Sequence, residues 1–409
     1  MANDAAESVR GRARPIPFAR VEICDEARQA AARVLDSGWV TTGPEVLAFE
    51  GELAEWVGAG NAVAVASCTA AIELSLRALG LPPGANVLTS TMTFCGAVHA
   101  IVHAGLVPVL ADVDPVTLCS DASACAAAAR RAGGVDAMVV THYAGYPAPV
   151  AELAEAAGLP LQRVVEDAAH ALGTEIGSRP VGTVSAATCF SFYATKNLPI
   201  GEGGMVTTDD QAIADHVRRT RLHGMSKDAW KRYLPGSAWR YSVEVAGLKA
   251  NMTDLQAAIG RAQLRRFGGW QGRRALLASR YDEGLAGIPG LRLPARPLRG
   301  RHAWHLYVVQ VEPEFGLGRD DLIAQLAERG VSCSVHFIPA HHFPYFQDLL
   351  GADQLGRHPG ADTAFERVVS LPLYPGLEPA DVDDVCELIA GLRDRSRSSR
   401  WSQPEAVPR

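Results

Sequence analysis

Lys196 sits in TCFSFYATKN (188–197), where an apolar β-type run delivers Ser191 and then the lysine, and EGG (202–204) opens a tight turn shortly after. A lysine just past a strand, among small residues, is partly desolvated. Desolvation disfavours the ammonium form, lowers its pKa and makes the amine a nucleophile toward carbonyls. Only four of the 39 basic residues are lysines, and Lys227, Lys231 and Lys249 lie in polar helical or loop text, so Lys196 stands apart. A second feature is VVEDAAH (164–170), a strand ending in Glu166 and Asp167, with Lys196 following 29 residues after Asp167. A carboxylate at a strand's carboxyl end can pair with a protonated pyridine nitrogen and keep such a ring an electron sink. In ASCTAAIEL (66–74) a strand runs through small polar residues into a helix, whose N–H groups and dipole suit a phosphate. Phe94 opens another helix after a strand and could stack on a flat heteroaromatic ring. Each feature alone has an ordinary reading: a surface lysine, a solvated or capping acid, an N-cap at Ser67 or Thr69, and a core phenylalanine.

The elements that must position these residues alternate. Apolar runs at 62–67, 86–90, 107–114, 136–145 and 163–170 read as strands, and helical spacing recurs at 69–79, 94–105 and 150–158. Strands alternating with helices of this length predict an α/β fold, a mostly parallel central sheet sandwiched by helices. Ligands in such folds sit outside the carboxyl ends of the strands. After residue 245 the pattern changes to a long helix at about 253–283, strands at 302–311 and 331–337, a helix at 320–330 and a last helix over DDVCELIAGLRDR. This predicts a large domain over 1–250, a smaller C-terminal α+β domain over 251–395 and a disordered tail over 396–409. Residues 1–15 are polar and expected to fray.

Composition narrows the class. The 409 residues exceed one ordinary domain, and a 48% hydrophobic content suffices for a sizeable core. No run approaches a membrane span, and MANDAAESVRGRARP has no apolar signal region, so a cytoplasmic enzyme without a membrane partner is expected. The net charge of -6 argues against a nucleic-acid surface. Eight scattered cysteines form no C-x-x-C pair, so they signal neither a zinc nor an iron–sulfur site, and no metal is read from the sequence.

Taken in order, SGWVTTGPEVLAFE, ASCTAAIELSLRALGL, TMTF, ADVDP, VEDAAHALG, SFYATKNLPIGEGGMV, NMTDLQAAIG, HFIPAHHFPYF and SLPLYPGL resemble the DegT/StrS-type nucleotide-sugar aminotransferases, a branch of the fold-type I pyridoxal-phosphate (PLP) enzymes. The match runs from IPFAR (16–20) to SLPLYPGL (370–377). The resemblance implies that Lys196 carries PLP as a Schiff base and that Asp167 partners the pyridine nitrogen. It implies that Phe94 stacks on the ring, that Thr69, Ala70 and Ser191 hold the phosphate, and that His170 lies near the phenolic oxygen. Asn251 matches an asparagine that reaches the phosphate of the partner subunit, which implies a homodimer with shared sites. His336, His341 and His342 fall in the loop facing the sugar nucleotide, and Trp39 and Thr41 are assigned to substrate binding with them. Two positions depart from the pattern: Cys68 stands where many members carry glycine, and Lys249-Ala250 where relatives often carry tyrosine or other residues.

The implied reaction moves an amino group from glutamate to a nucleotide-linked keto-sugar, with pyridoxamine phosphate as the intermediate cofactor form. ATKN…EGG resembles the branch that aminates C4, which points to a 4-keto-6-deoxyhexose linked to dTDP or UDP; the C3-aminating branch is the alternative. Two other classes compete. PLP-dependent sugar dehydratases carry histidine in place of the lysine, which Lys196 argues against. A PLP-binding sensor would need a fused DNA-binding or partner domain.

Overall fold

The computed structural model describes residues 14–225 and 241–400, with side chains to Arg393; Lys227 and Lys231 lie outside the described residues. Its centre is a seven-stranded sheet. The strands are β1 (Asn61–Val65), β2 (Asn86–Ser90), β3 (Val107–Ala111), β4 (Ala137–Thr141), β5 (Val164–Asp167), β8 (Ala187–Ser191) and β9 (Gly204–Thr208), with the two-residue strands β6 (Glu175–Ile176) and β7 (Arg179–Pro180) in a separate ribbon. The order is β1-β9-β8-β5-β4-β2-β3, and every adjacent pair is parallel except the two made by β9. The mostly parallel α/β sheet is as expected from the sequence.

The period of two along each strand decides which helices cover which face. Val63, Val65, Val87, Val139, Val165, Cys189 and Val206 point to one face and pack under α3 (Cys68–Ala78), α4 (Cys95–His103) and α7 (Gln211–Thr220). Their neighbours Ala62, Ala64, Leu88, Met138, Val140, Val164, Phe190 and Met205 point to the other face. There they meet α2 (Pro44–Val57), α5 (Ala122–Arg131), α6 (Val150–Ala156) and the first half of α8 (Asp254–Leu285). The remaining early helix, α1 (Asp25–Ser37), packs on α8.

A second, three-stranded antiparallel sheet follows: β10 (Leu291–Arg292), β12 (Tyr307–Val311) and β13 (Val368–Leu371), while β11 (Gly300–Arg301) pairs with β6. It packs with α9 (Arg319–Glu328) and α12 (Pro379–Arg400); α10 (Pro344–Leu355) and α11 (Pro359–Arg367) connect the two. Helix α8 bridges both layers. Leu264 and Phe267 enter the core beneath the large sheet, and Leu277, Tyr281 and Leu285 enter that of the small one. Ile16 also joins the second core and bridges to Val331. No helix among the described residues is long and apolar enough to cross a membrane.

Three local expectations need correction. Residues 331–337 form no strand: they pair only through single bridges at Val331 and Ser334, so no ladder develops. The strand expected over 302–311 begins at Tyr307, because Trp304 takes a left-handed φ of 48° that an extended strand cannot contain. Helix α12 continues to Arg400, past the start of the expected disordered tail, since Arg supports helix well enough to carry the intervening serines.

β1 lies at an edge of the large sheet, so its outward backbone groups need other partners. Glu50 accepts the Ala64 N–H at 2.9 Å, and Arg221 donates to the Ala64 carbonyl at 2.8 Å. Arg221 and Glu50 also pair with each other, and both are buried. Arg221→Met should therefore leave a buried carboxylate unpaired and cost about 3 kcal/mol. The urea midpoint checks this; an unchanged midpoint would show that the pair does not hold the edge.

Candidate active site

The carboxyl ends of β1, β2, β4, β5 and β8 open onto one cavity of about 460 Å³. That volume suits a small cofactor and part of a substrate. Seven of the residues singled out from the sequence line it: Thr69, Phe94, Asp167, His170, Ser191, Lys196 and His336.

Alternation along β5 separates the two adjacent acids. Asp167 shares the parity of Val165 and comes up on the α3 side, into the cavity. Glu166 points to the opposite face, where His142 Nε2 lies 2.8 Å from one of its oxygens; Ser185 and Thr188 donate to the other at 2.7 and 3.1 Å. Ala148 N–H donates to His142 Nδ1 at 3.1 Å, so the His142 proton facing Glu166 is on Nε2. Burial alone would raise the Glu166 pKa, but these partners hold it below the usual carboxylate value. Asp167 has less support: the Ala169 N–H at 3.1 Å and the Cys68 thiol at 3.7 Å. Burial therefore pushes its pKa up, against the pull of that N–H and of the Lys196 ammonium. A cationic ring nitrogen placed against Asp167 would relieve this penalty.

Lys196 follows β8 in a turn in which its N–H donates to the Tyr193 carbonyl at 2.9 Å. Lys196 lines the cavity, and burial lowers its pKa to about 8 even though Asp167 and Cys68 pull it upward. A usable share of neutral amine is thus present at neutral pH.

The start of α3 forms another wall. Ser67 caps the helix by accepting the Ala70 N–H at 3.1 Å, and the N–H groups of Cys68 and Thr69 in the first turn have no intrahelical partner. Strand β9 approaches closely here. A Cβ on Gly204 would stand 2.4 Å from the Ser67 carbonyl carbon and 2.7 Å from the Cys68 nitrogen. Phe94, at the N-cap of α4, leaves 59% of its surface exposed while lining the cavity. An aromatic face, a capped helix start with Thr69 and Ser191 beside it, a buried carboxylate and a softened amine together fit a phosphorylated pyridine aldehyde.

The far wall is built of imidazoles. His170 Nδ1 accepts the Ala144 N–H at 3.2 Å, so neutral His170 carries its proton on Nε2. His305 is set the opposite way. The Asn197 amide donates to Gln271 and to the Ala303 carbonyl at 2.9 and 2.8 Å, which turns its oxygen toward His305 Nδ1 at 3.0 Å. The two rings lie 4.3 Å apart, and Phe337 stacks on His170 at 5.7 Å. Burial drives His170 and His305 well below the usual histidine pKa and brings His336 down to about 4, so all three are neutral.

Other singled-out residues lie outside the cavity lining of this chain. Ala70 is one residue behind Thr69. Asn251 donates to Thr42 Oγ1 at 2.7 Å, and the Trp39 indole donates to the Thr42 carbonyl at 3.2 Å. The exposed Thr41 accepts the Asp254 N–H through its carbonyl at 3.1 Å. His341 and His342 both turn to Asp362. Sequence reasoning missed His305, Phe337, His142 and Tyr193 in the lining. The signal for His305 was Trp-His inside HAWHLYVVQV, hidden by reading the whole run as strand.

The sequence profile of the DegT/DnrJ/EryC1/StrS aminotransferase family matches residues 21–390. The chain is 45% identical over 379 residues to the spore coat polysaccharide biosynthesis protein SpsC of Bacillus subtilis, covering 92% of this chain and 97% of that one. Its fold is similar to that of the putative sugar aminotransferase Spr1654 of Streptococcus pneumoniae in its PMP form, with a TM-score of 0.84, 29% identity, and 93% and 100% of the two chains covered. The aminotransferase TlmJ of Streptoalloteichus hindustanus is similar at a TM-score of 0.83 and 32% identity, with 94% and 100% covered.

Because only the neutral amine attacks a carbonyl, the rate at which protein stripped of cofactor recovers visible absorbance with PLP should rise with pH and be half-maximal near Lys196's pKa of about 8. A rate still climbing steeply at pH 10 would mean that burial does not soften the amine.

Proposed function

The chain belongs to the DegT/DnrJ/EryC1/StrS aminotransferase family and is a PLP-dependent sugar aminotransferase, and from this premise we propose that it transfers an amino group from glutamate to C4 of a nucleotide-linked 4-keto-6-deoxyhexose. The observation that carries the assignment of roles is the pairing, in one cavity, of an amine lowered to about 8 with a buried carboxylate in need of a cation. Bound here, PLP supplies a carbonyl carbon for amine exchange and a pyridinium ring that withdraws electrons from it.

The residues then divide the work. Lys196 Nζ would hold the cofactor covalently at rest and, as a free amine, would act as the base and acid that moves the proton at the substrate's α-carbon. Its softened pKa lets it act in both directions near neutral pH. The Asp167 carboxylate holds the proton on the ring nitrogen, and the Cys68 thiol supports that carboxylate. His170, with its proton on Nε2, would donate to the cofactor's phenolic oxygen. Phe94 orients the ring face, and Thr69, the α3 N–H groups and Ser191 bind the phosphate. His336 and Phe337 exclude water on the sugar side.

Asn251 turns away from its own cavity toward Thr42, close to Trp39 and Thr41. This supports a homodimer in which the 37–43 loop and Asn251 complete the partner's site. The C4 choice rests on the resemblance of ATKN…EGG to the C4-aminating branch.

Lys196→Ala should lower kcat at least about a hundredfold, the loss expected when a positioned proton carrier is removed, and abolish the visible band with PLP. Turnover of a panel of keto-sugar nucleotides with glutamate, read by product NMR, should give a 4-amino sugar. A 3-amino product would overturn the C4 assignment, and normal rates in Lys196→Ala would overturn the role of the lysine.

A further inference from the structure

We propose a divalent-cation site, of the zinc class, formed by His341, His342 and Asp362 beside the cofactor cavity. One donor atom from each residue falls within 4.8 Å of the other two. The Nε2 atoms of both histidines stand 2.8 Å from the same carboxylate oxygen, Asp362 Oδ1. The rings are nearly perpendicular, 4.4 Å apart at 72°, so the two nitrogens approach from different directions rather than as a stack. A tetrahedral zinc with nitrogen and oxygen ligands at about 2.0–2.2 Å sets its ligands about 3.3–3.6 Å apart. Opening these contacts by well under an ångström per side chain makes that space, and the exposure of His342 leaves a face for a water as fourth ligand.

The surroundings match those of a ligand set. Thr91 Oγ1 lies 2.7 Å from His341 Nδ1 and holds the ring so that Nε2 faces Asp362. Such an outer partner fixes the orientation of a ligating histidine. His358, whose ring lies 4.6 Å from that of His341, is 98% buried, bonds through Nε2 to the Leu355 carbonyl at 2.7 Å, and has no partner for Nδ1. The donors come from segments about 20 residues apart, which is why cysteine-based spacing rules give no sign of them.

The site would act as a clamp. Ala340 N–H bonds to the Thr91 carbonyl at 2.7 Å, and Thr91 lies three residues before Phe94. An ion on His341, His342 and Asp362 would tie the loop carrying His336 and Phe337 to α11, while Ala340 and His341 hold that loop to Thr91 in the turn before Phe94. This clamp does not depend on which sugar is aminated.

The test uses holoenzyme dialysed against chelator, then titrated with Zn²⁺ and, for its visible d–d band, with Co²⁺. Wild type should take up about one equivalent per chain with a tetrahedral Co²⁺ spectrum. His342→Ala, at an exposed position, and Asp362→Asn should lose that uptake and spectrum while keeping the PLP band, which shows they are folded. Thr91→Val should bind about tenfold to a hundredfold more weakly, and His103→Gln, an exposed histidine elsewhere, should bind as wild type. Wild-type uptake no greater than that of His342→Ala overturns the site, as does a loss of uptake in His103→Gln.

Discussion

A carboxylate and an amine are buried in the same cavity, and most of the molecule is arranged around that fact. Asp167 and Lys196 are both disfavoured as ions by burial, one with its pKa raised and the other with its pKa lowered. Each partly relieves the other. Neither has enough hydrogen bonds to be content as a structural ion, unlike Glu166 one residue away, which has three partners. The contrast separates a carboxylate that stabilises the sheet from one held in readiness for a cationic ligand.

The topology brings the two together. β5 and β8 are parallel neighbours, so their carboxyl ends, with Asp167 on one and Lys196 just beyond the other, reach the same edge. The antiparallel β9 returns beside β8 and passes under the start of α3, where only glycine at 204 lets the strand and the helix start come so close. A cofactor-sized cavity lies between that helix start and the imidazole wall. The wall is neutral, so it adds donors and acceptors in set directions without competing for the charge of Asp167. Two backbone or amide contacts choose opposite tautomers for His170 and His305.

Helix α8 ties this edge to the second sheet. Its first turns pack under the large sheet and its last turns under the small one. Midway, Gln271 accepts the Asn197 amide next to Lys196 and donates to the Ala303 carbonyl. Helix α8 thereby helps to orient His305 through Asn197. A division of the chain at residue 250 assigns α8 to one side only, whereas its packing belongs to both.

The sequence by itself determined the α/β alternation, the positions of most strands and helices, and the lysine, carboxylate, aromatic and helix start that could do chemistry. Those features are local: hydrophobic period, turn residues and residue type are properties of short windows. Three matters waited on the tertiary structure. Which of Glu166 and Asp167 meets Lys196 depends on strand parity relative to the helix layer. Whether Trp304 ends a strand or turns His305 into the cavity depends on a backbone angle stabilised by distant contacts. The convergence of His341 and His342 on Asp362 depends on how α11 packs against the loop before it. In each case side chains far apart in the chain share one burial cost, and no window of sequence contains both.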